Sequence, residues 1–304
     1  MGLPRRSVVV AVLAAGLAAF AVSGGEPGPR EAAGDDLTFR PTVIVRKGNG
    51  QGSGTIIASA DGETLVLTAA HVVRGPGALS VELHRYNLGV EHALPPGGWP
   101  LRLPAEVAAS DPAADVAVVR VRDRPAFPFV ARIGAVGEEP SGGTVVTSVG
   151  IDGGERLRSW STRVRAVLWL AFSPGAKPGS ETIKANAGTK ATANGKGTNP
   201  KGPVDAPDAG GRPFLITAKA PERGRSGGGL FLEDGRLVGV CVGRIDIDHK
   251  AALGVFASGG SIHRLLREHD LDPLLALPHA RPSRPGAAPT RAARKAATRT
   301  KPVR

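Results

Sequence analysis

Short runs of Val, Leu, Ile and Ala recur along the chain between Gly, Pro and Asp, patterned as half-buried strands rather than helices. They fall at 41–46, 54–58, 64–70, 79–83, 115–121, 144–149, 157–170, 214–219, 229–232, 237–242 and 253–257. Asp-Gly pairs at Asp61-Gly62 and Asp234-Gly235 favour tight hairpins. Helical periodicity is convincing only at 261–269. Many strands and one late helix predict an all-β domain built of barrels or sandwiches.

Two stretches break the pattern. Residues 173–212 are rich in Gly, Pro, Lys, Asn, Thr and Ala, with Ile183 and Val204 as the large apolar residues. Such a stretch buries too little surface to offset its ordering entropy, so a mobile insertion is expected there. Residues 273–304 form an Ala/Pro/Arg tail, expected to be disordered. At the other end, Arg5 and Arg6 precede an apolar run over 8–22 and the small residues Ala21-Val22-Ser23. That order reads as an export signal at 1–23, with an uncleaved membrane anchor as the alternative. A linker at 24–39 follows. The folded part divides into 40–135 and 136–272.

Composition adds three constraints. With 41% hydrophobic residues over 304 positions the chain can bury a sizeable core, but aromatics are 4%, so aliphatic side chains must fill it. The net charge of +12 is uneven: residues 280–304 carry eight positive charges and no acidic residue. That tail reads as a solvated extension or as a binder of an anionic envelope polymer or lipid; specific nucleic-acid binding is not predicted. The single cysteine, Cys241, excludes an internal disulfide and sits in an apolar run as a small buried hydrophobe. No clustered Cys/His set points to a metal or cofactor.

The chemistry lies in three places. His71 follows Leu67-Thr68-Ala69-Ala70 and is expected at a barrel rim, at the end of a strand. Asp115 stands directly before the apolar run Val116-Ala117-Val118-Val119, while Asp111, four positions earlier, reads as a turn residue. Ser226 lies in Gly224-Arg225-Ser226-Gly227-Gly228-Gly229-Leu230, where backbone amides can converge on an oxyanion. A serine hydroxyl needs a neutral imidazole to take its proton, and that imidazole needs a carboxylate to fix its tautomer. His71, Asp115 and Ser226 supply those parts, with the amides of Gly224 and Ser226 as oxyanion donors. The other histidines, His84, His92, His249, His263, His269 and His279, are read as structural or solvent-facing.

Those three blocks, with Gly52-Ser53-Gly54-Thr55-Ile56-Ile57 and Leu253-Gly254-Val255-Phe256-Ala257, resemble trypsin-like serine peptidases of the chymotrypsin fold, nearest to bacterial HtrA/Deg-type protease domains. The resemblance covers roughly 40–270. It implies two perpendicular six-stranded β-barrels with a C-terminal helix, His71 and Asp115 in the first and Ser226 in the second. It also implies a cleft in which a polypeptide substrate lies extended against Val242, Gly243 and Arg244. The specificity pocket should involve residues near Ala220 and the same strand, with Asp246 and Asp248 read as surface charges flanking a turn. Arg225 departs from the aspartate with which animal members capture a new amino terminus, which argues against activation by that route.

Two other readings are open to the sequence. Gly224-Arg225-Ser226-Gly227-Gly228 fits the nucleophile elbow of α/β-hydrolases, but that fold needs a helix after the serine, where 229–232 and 237–242 read as a hairpin. A non-catalytic scaffold would follow if Arg225 or the insertion closed the oxyanion turn. The preferred expectation is an exported serine endopeptidase, periplasmic or extracellular.

Overall fold

A computed structural model describes residues 36–60, 62–89, 98–122, 125–154, 156–170, 211–248 and 251–275. The expected signal, nearly all of the linker and of the insertion, and the tail beyond residue 275 lie outside them.

The first half is a sheet of seven strands: β1 (Thr42–Lys47), β2 (Gly50–Ala60), β3 (Glu63–Thr68), β4 (Leu79–Leu83), β5 (Leu101–Pro104), β6 (Glu106–Asp111) and β7 (Val116–Arg122). Their order is β5-β4-β1-β2-β3-β7-β6. β5 and β6 are separated by Ala105 alone, whose amide donates to the Leu79 carbonyl at 3.0 Å. One bent run therefore pairs with β4 at its start and with β7 at its end, and the sheet closes as a ring of six. A short helix α1 (Arg85–Leu88) follows β4, pinned by the buried Asn87 amide, which donates to the Arg40 and Thr42 carbonyls at 2.7 Å each.

The second half contains β8 (Arg132–Ile133), β9 (Val145–Asp152), β10 (Arg156–Leu170), β11 (Arg212–Thr217), β12 (Gly229–Phe231), β13 (Arg236–Asp248) and β14 (Ala251–Ser258). The order β12-β9-β10-β11-β14-β13 is closed by pairing of β12 with β13, again a ring of six, and β8 adds in parallel to β13. Helices α2 (Gly259–Glu268) and α3 (Asp272–Leu275) follow. The all-β, two-barrel expectation holds, including the closing helix.

Aliphatic residues do fill the interior: Leu65, Leu67 and Val118 are fully buried in the first barrel. Phe127 and Phe129 are buried in the first half, while the aromatics with no exposed surface, Phe214, Phe231 and Phe256, lie in the second. Cys241 is buried with them, as expected.

The elements differ from the sequence reading at several points. The strands at 101–111 went unread because mostly exposed residues alternate there with few buried ones. β3 ends at Thr68, and the chain turns into one 3-10 turn, Ala70–Val73, so His71 sits on a turn after the strand rather than at its end. β13 continues to Asp248 and β14 begins at Ala251, so Asp246 and Asp248 lie on a longer strand, at its end leading into β14, with Asp246 exposed as read. Residues 273–275, assigned to the tail, belong to α3.

Candidate active site

His71 and Asp115 meet at the edge of the first barrel. Asp115 adopts φ 53°, the left-handed region that aspartate tolerates better than most residues, and is 1% exposed. That conformation turns its side chain back toward the 3-10 turn. Its Oδ1 accepts from the His71 backbone amide at 2.8 Å, and its Oδ2 lies 2.6 Å from His71 Nδ1. An ionised carboxylate only accepts, so opposite one Nδ1 is the donor, the tautomer that leaves the lone pair of a neutral ring on Nε2. The Ala70 amide donates to the Asp115 carbonyl at 3.1 Å, tying the two segments by backbone as well. Asp111 is the turn residue it was read as: its Oδ1 accepts from the Ala113 and Ala114 amides at 2.9 and 3.2 Å.

Ser226 comes from the loop between β11 and β12 of the second barrel. Its carbonyl accepts from the Ser53 amide in β2 at 2.7 Å. A methyl group on Gly52 would fall 2.6 Å from Val72 Cγ2 and 2.8 Å from the Ser226 carbonyl oxygen. One glycine thus separates the serine backbone from the residue next to His71. Gly227, at φ 86°, packs so closely on β2 and β3 that a side chain would strike the Ser53 carbonyl and the Thr68 hydroxyl. Here glycine is required both for its backbone angle and for its size.

Ser53, quoted in the sequence block but given no role, is the hub of this junction. Its hydroxyl donates to the Gly224 carbonyl at 3.1 Å and accepts from the Ile151 amide at 2.8 Å, while its carbonyl accepts from the Thr68 hydroxyl at 2.7 Å. Across the loop, the Gly227 amide donates to the Cys241 carbonyl at 2.7 Å and the Cys241 amide to the Gly228 carbonyl at 2.8 Å. Burial pushes the Cys241 thiol up to about 12, so it is a packed, unreactive group beneath the loop.

The oxyanion candidates have a defined geometry. Gly224 sits at φ 95°. The carbonyls that precede the two amides are both held: Arg223 accepts from the Gly153 amide at 2.9 Å and Arg225 from the Gly228 amide at 2.8 Å. In a trans peptide the N–H points opposite to the C=O. The Gly224 and Ser226 amides therefore face away from those partners, and no described residue accepts from either.

Arg225 is not in the cleft. Its side chain is fully buried and forks onto Asp152, with Nε 2.7 Å from Oδ1 and Nη2 2.5 Å from Oδ2. It does not close the oxyanion turn; the insertion, the other feature behind the scaffold reading, lies outside the described residues. Sequence reasoning missed Asp152 because an aspartate before Gly153-Gly154 looks like an ordinary hairpin residue.

Val242, Gly243 and Arg244 lie in β13, which runs beside the Ser226 loop. The β13–β14 register shifts between Cys241 and Gly243, a bulge that leaves Val242 unpaired. The Ser226 hydroxyl is 3.5 Å from the Val242 carbonyl. On the edge away from β14, β12 reaches β13 only as far as Val240, so beyond it that edge carries no described strand. A side chain on Gly243 would meet open space. Ala220 is half-buried nearby in sequence to Thr217 and Lys219, whose atoms crowd Gly254, the residue opposite Arg244. Arg244 pairs with the exposed Asp246 at 2.5 Å.

A family model described as a trypsin-like peptidase domain matches residues 52–240, more than half of the chain, and His71, Asp115 and Ser226 all fall inside it. This chain belongs to the trypsin-like peptidase family. Among solved structures it is similar to the Rv3671c protease of M. tuberculosis in its active form, with a TM-score of 0.52 and 22% identity over 76% of this chain and 81% of that one. It is similar too to an inactive form of a serine-to-alanine mutant of the same protein, with a TM-score of 0.51 and 21% identity over 77% of this chain and 88% of that one. At such identity the likeness is one of fold. No curated protein matches the sequence.

Proposed function

We propose that this trypsin-like peptidase is an exported serine endopeptidase that works through an acyl-enzyme. Ser226 Oγ attacks the scissile carbonyl and its proton passes to His71 Nε2, with Asp115 stabilising the imidazolium that forms. The developing oxyanion is received by the Gly224 and Ser226 amides. The imidazolium then protonates the leaving amine, and water repeats the sequence to release the acid. The substrate adds as a strand along the edge of Val242, Gly243 and Arg244 that carries no described strand, held by backbone hydrogen bonds.

The observation that carries this reading is the buried Asp115 carboxylate fixed on both the ring and the backbone of His71, with the Ser226 backbone docked on Gly52 and Ser53 alongside. A fluorophosphonate probe tests it. Folded wild-type protein is expected to take one probe per chain, and Ser226→Ala and His71→Ala to take none. Wild-type protein that stays unlabelled under conditions that label another serine peptidase would overturn the assignment. Export is supported by the pattern of residues 1–23; secretion of the full chain followed by N-terminal sequencing is expected to show a mature protein starting near Gly24.

A further inference from the structure

Arg225 stands between the two amides that are to receive the oxyanion, yet all of its side chain is turned into the second barrel. Besides the fork onto Asp152, its Nη1 donates to the Ser148 carbonyl at 3.0 Å and lies 3.3 Å from the Ser148 hydroxyl. The guanidinium carbon is 4.9 Å from the centre of the Trp160 ring. Gly150 leaves room for the stem: a methyl there would fall 2.8 Å from Arg225 Cγ. Every guanidinium nitrogen is thus occupied, on partners from β9, and β10 supplies the aromatic face. A buried ion pair adds little stability that apolar residues of the same volume could not give. What it does supply is a fixed position.

That position matters because of the next residue along β9. Asp152 ends the strand, and the Gly153 amide is the group that holds the Arg223 carbonyl and so directs the Gly224 N–H. Gly224 itself leans on this turn, where a methyl would lie 2.8 Å from the Ile151 carbonyl oxygen and 2.9 Å from the Gly154 amide. One hairpin turn therefore grips the loop at two points, by side chain at Arg225 and by backbone at Arg223, on either side of Gly224.

We infer that Arg225 and Asp152 form a positioning pair that keeps the Gly224 and Ser226 amides facing the cleft before substrate arrives, so that the oxyanion site is assembled without capture of a freed amino terminus. This rests on Ser226 being the nucleophile. Neither partner touches the substrate; both act through the loop.

The test compares full-length wild type with Asp152→Asn and Arg225→Lys, using a fluorogenic peptide and a peptide boronic acid of the same sequence, whose tetrahedral adduct places an oxygen in the hole. Asp152→Asn is expected to lose about 100-fold in kcat with KM changed less than about threefold, the pattern of a contact made only in the transition state. Boronate affinity should fall by a comparable factor, while binding of the intact peptide, measured with Ser226→Ala present in both backgrounds, stays unchanged. Arg225→Lys keeps the charge but not the fork, and should recover part of the rate, at a loss of about 10-fold. Variants that match wild type in kcat and boronate affinity overturn the proposal while leaving the peptidase reading intact. Wild-type protein that neither cleaves nor takes a fluorophosphonate sinks both. A second measurement needs no change at the pair: with Trp99→Phe and Trp169→Phe, the emission of Trp160 reports on the guanidinium beside it. A loop assembled in advance leaves that emission unchanged when boronate binds; a shift on binding refutes prior assembly.

Discussion

Asp115 has both carboxylate oxygens committed to His71, one to its ring and one to its backbone. Asp115→Asn keeps the size of the side chain but offers an N–H where the ring needs an acceptor, which favours the wrong tautomer. The expected result is a folded protein with kcat lower by about 10⁴-fold, seen in steady-state peptide cleavage with an unchanged far-UV spectrum. Cys241 gives a second residue-level expectation. Its thiol is buried and pushed up to about 12, so iodoacetamide at pH 8 should leave native protein unmodified and add one carbamidomethyl group after unfolding, as read by mass spectrometry. Residues of this kind are legible when the local string reveals them. His71, Asp115 and Ser226 each stand beside a run that announces a strand or a turn. Arg225 and Asp152 lie 73 positions apart, and each alone looks like a solvated loop charge. Pairing them needs the closed second barrel, which a string of residues does not contain.

Among the elements, β2 joins the two halves at the serine loop, because its Gly52 and Ser53 support Ser226 from the first barrel. Gly52→Ala would drive a methyl into Val72 and the Ser226 carbonyl at once. It should part the serine loop from the histidine turn, lowering the fluorophosphonate labelling rate at least about 10-fold, with the melting temperature lowered by a few degrees at most. Elements with strong apolar patterning, such as β3 and β7, were readable with their boundaries nearly right. β5 and β6 were not, since Pro104 and the exposed positions around it erase the alternation, and pairing with β4 and β7 stabilises them instead. The turn at His71 was hidden for the opposite reason: Ala69, Ala70, Val72 and Val73 are buried like strand residues, though the backbone has left the sheet.

At the scale of the molecule, the Asp111 carboxylate is where the two halves and α2 converge. Its Oδ2 accepts from Arg212 Nε at 3.2 Å, at the start of β11, and from Arg264 Nη2 at 2.7 Å, on α2. Burial works to raise this carboxyl, but the Ala114 amide and the two guanidiniums outweigh it and hold it below the usual carboxylate range. A group whose folded value is depressed stabilises fully above its unfolded pKa of about 3.9 and loses that contribution as pH falls through the folded value. Wild type should therefore lose denaturant resistance below about pH 4, and Asp111→Asn should start lower at pH 7 and lose less on acidification, as followed by urea midpoints at both pH values. An all-β plan was legible from the strand count, and the two barrels from the family resemblance carried by the blocks around His71, Asp115 and Ser226. The joint at Asp111 was not, because its partners come from segments far along the chain.

The same joint bears on how the polypeptide is made. All strands of the first barrel are complete at Arg122, so the elements that pair His71 with Asp115 all precede the second barrel in the chain. The serine loop emerges long after them, and Arg264, which fastens the carboxylate at the base of the Asp115 turn, is later still. A chain that stops short of the serine loop would thus hold the paired imidazole and carboxylate without a nucleophile, and one that stops short of α2 would lack the Arg264 tie to Asp111.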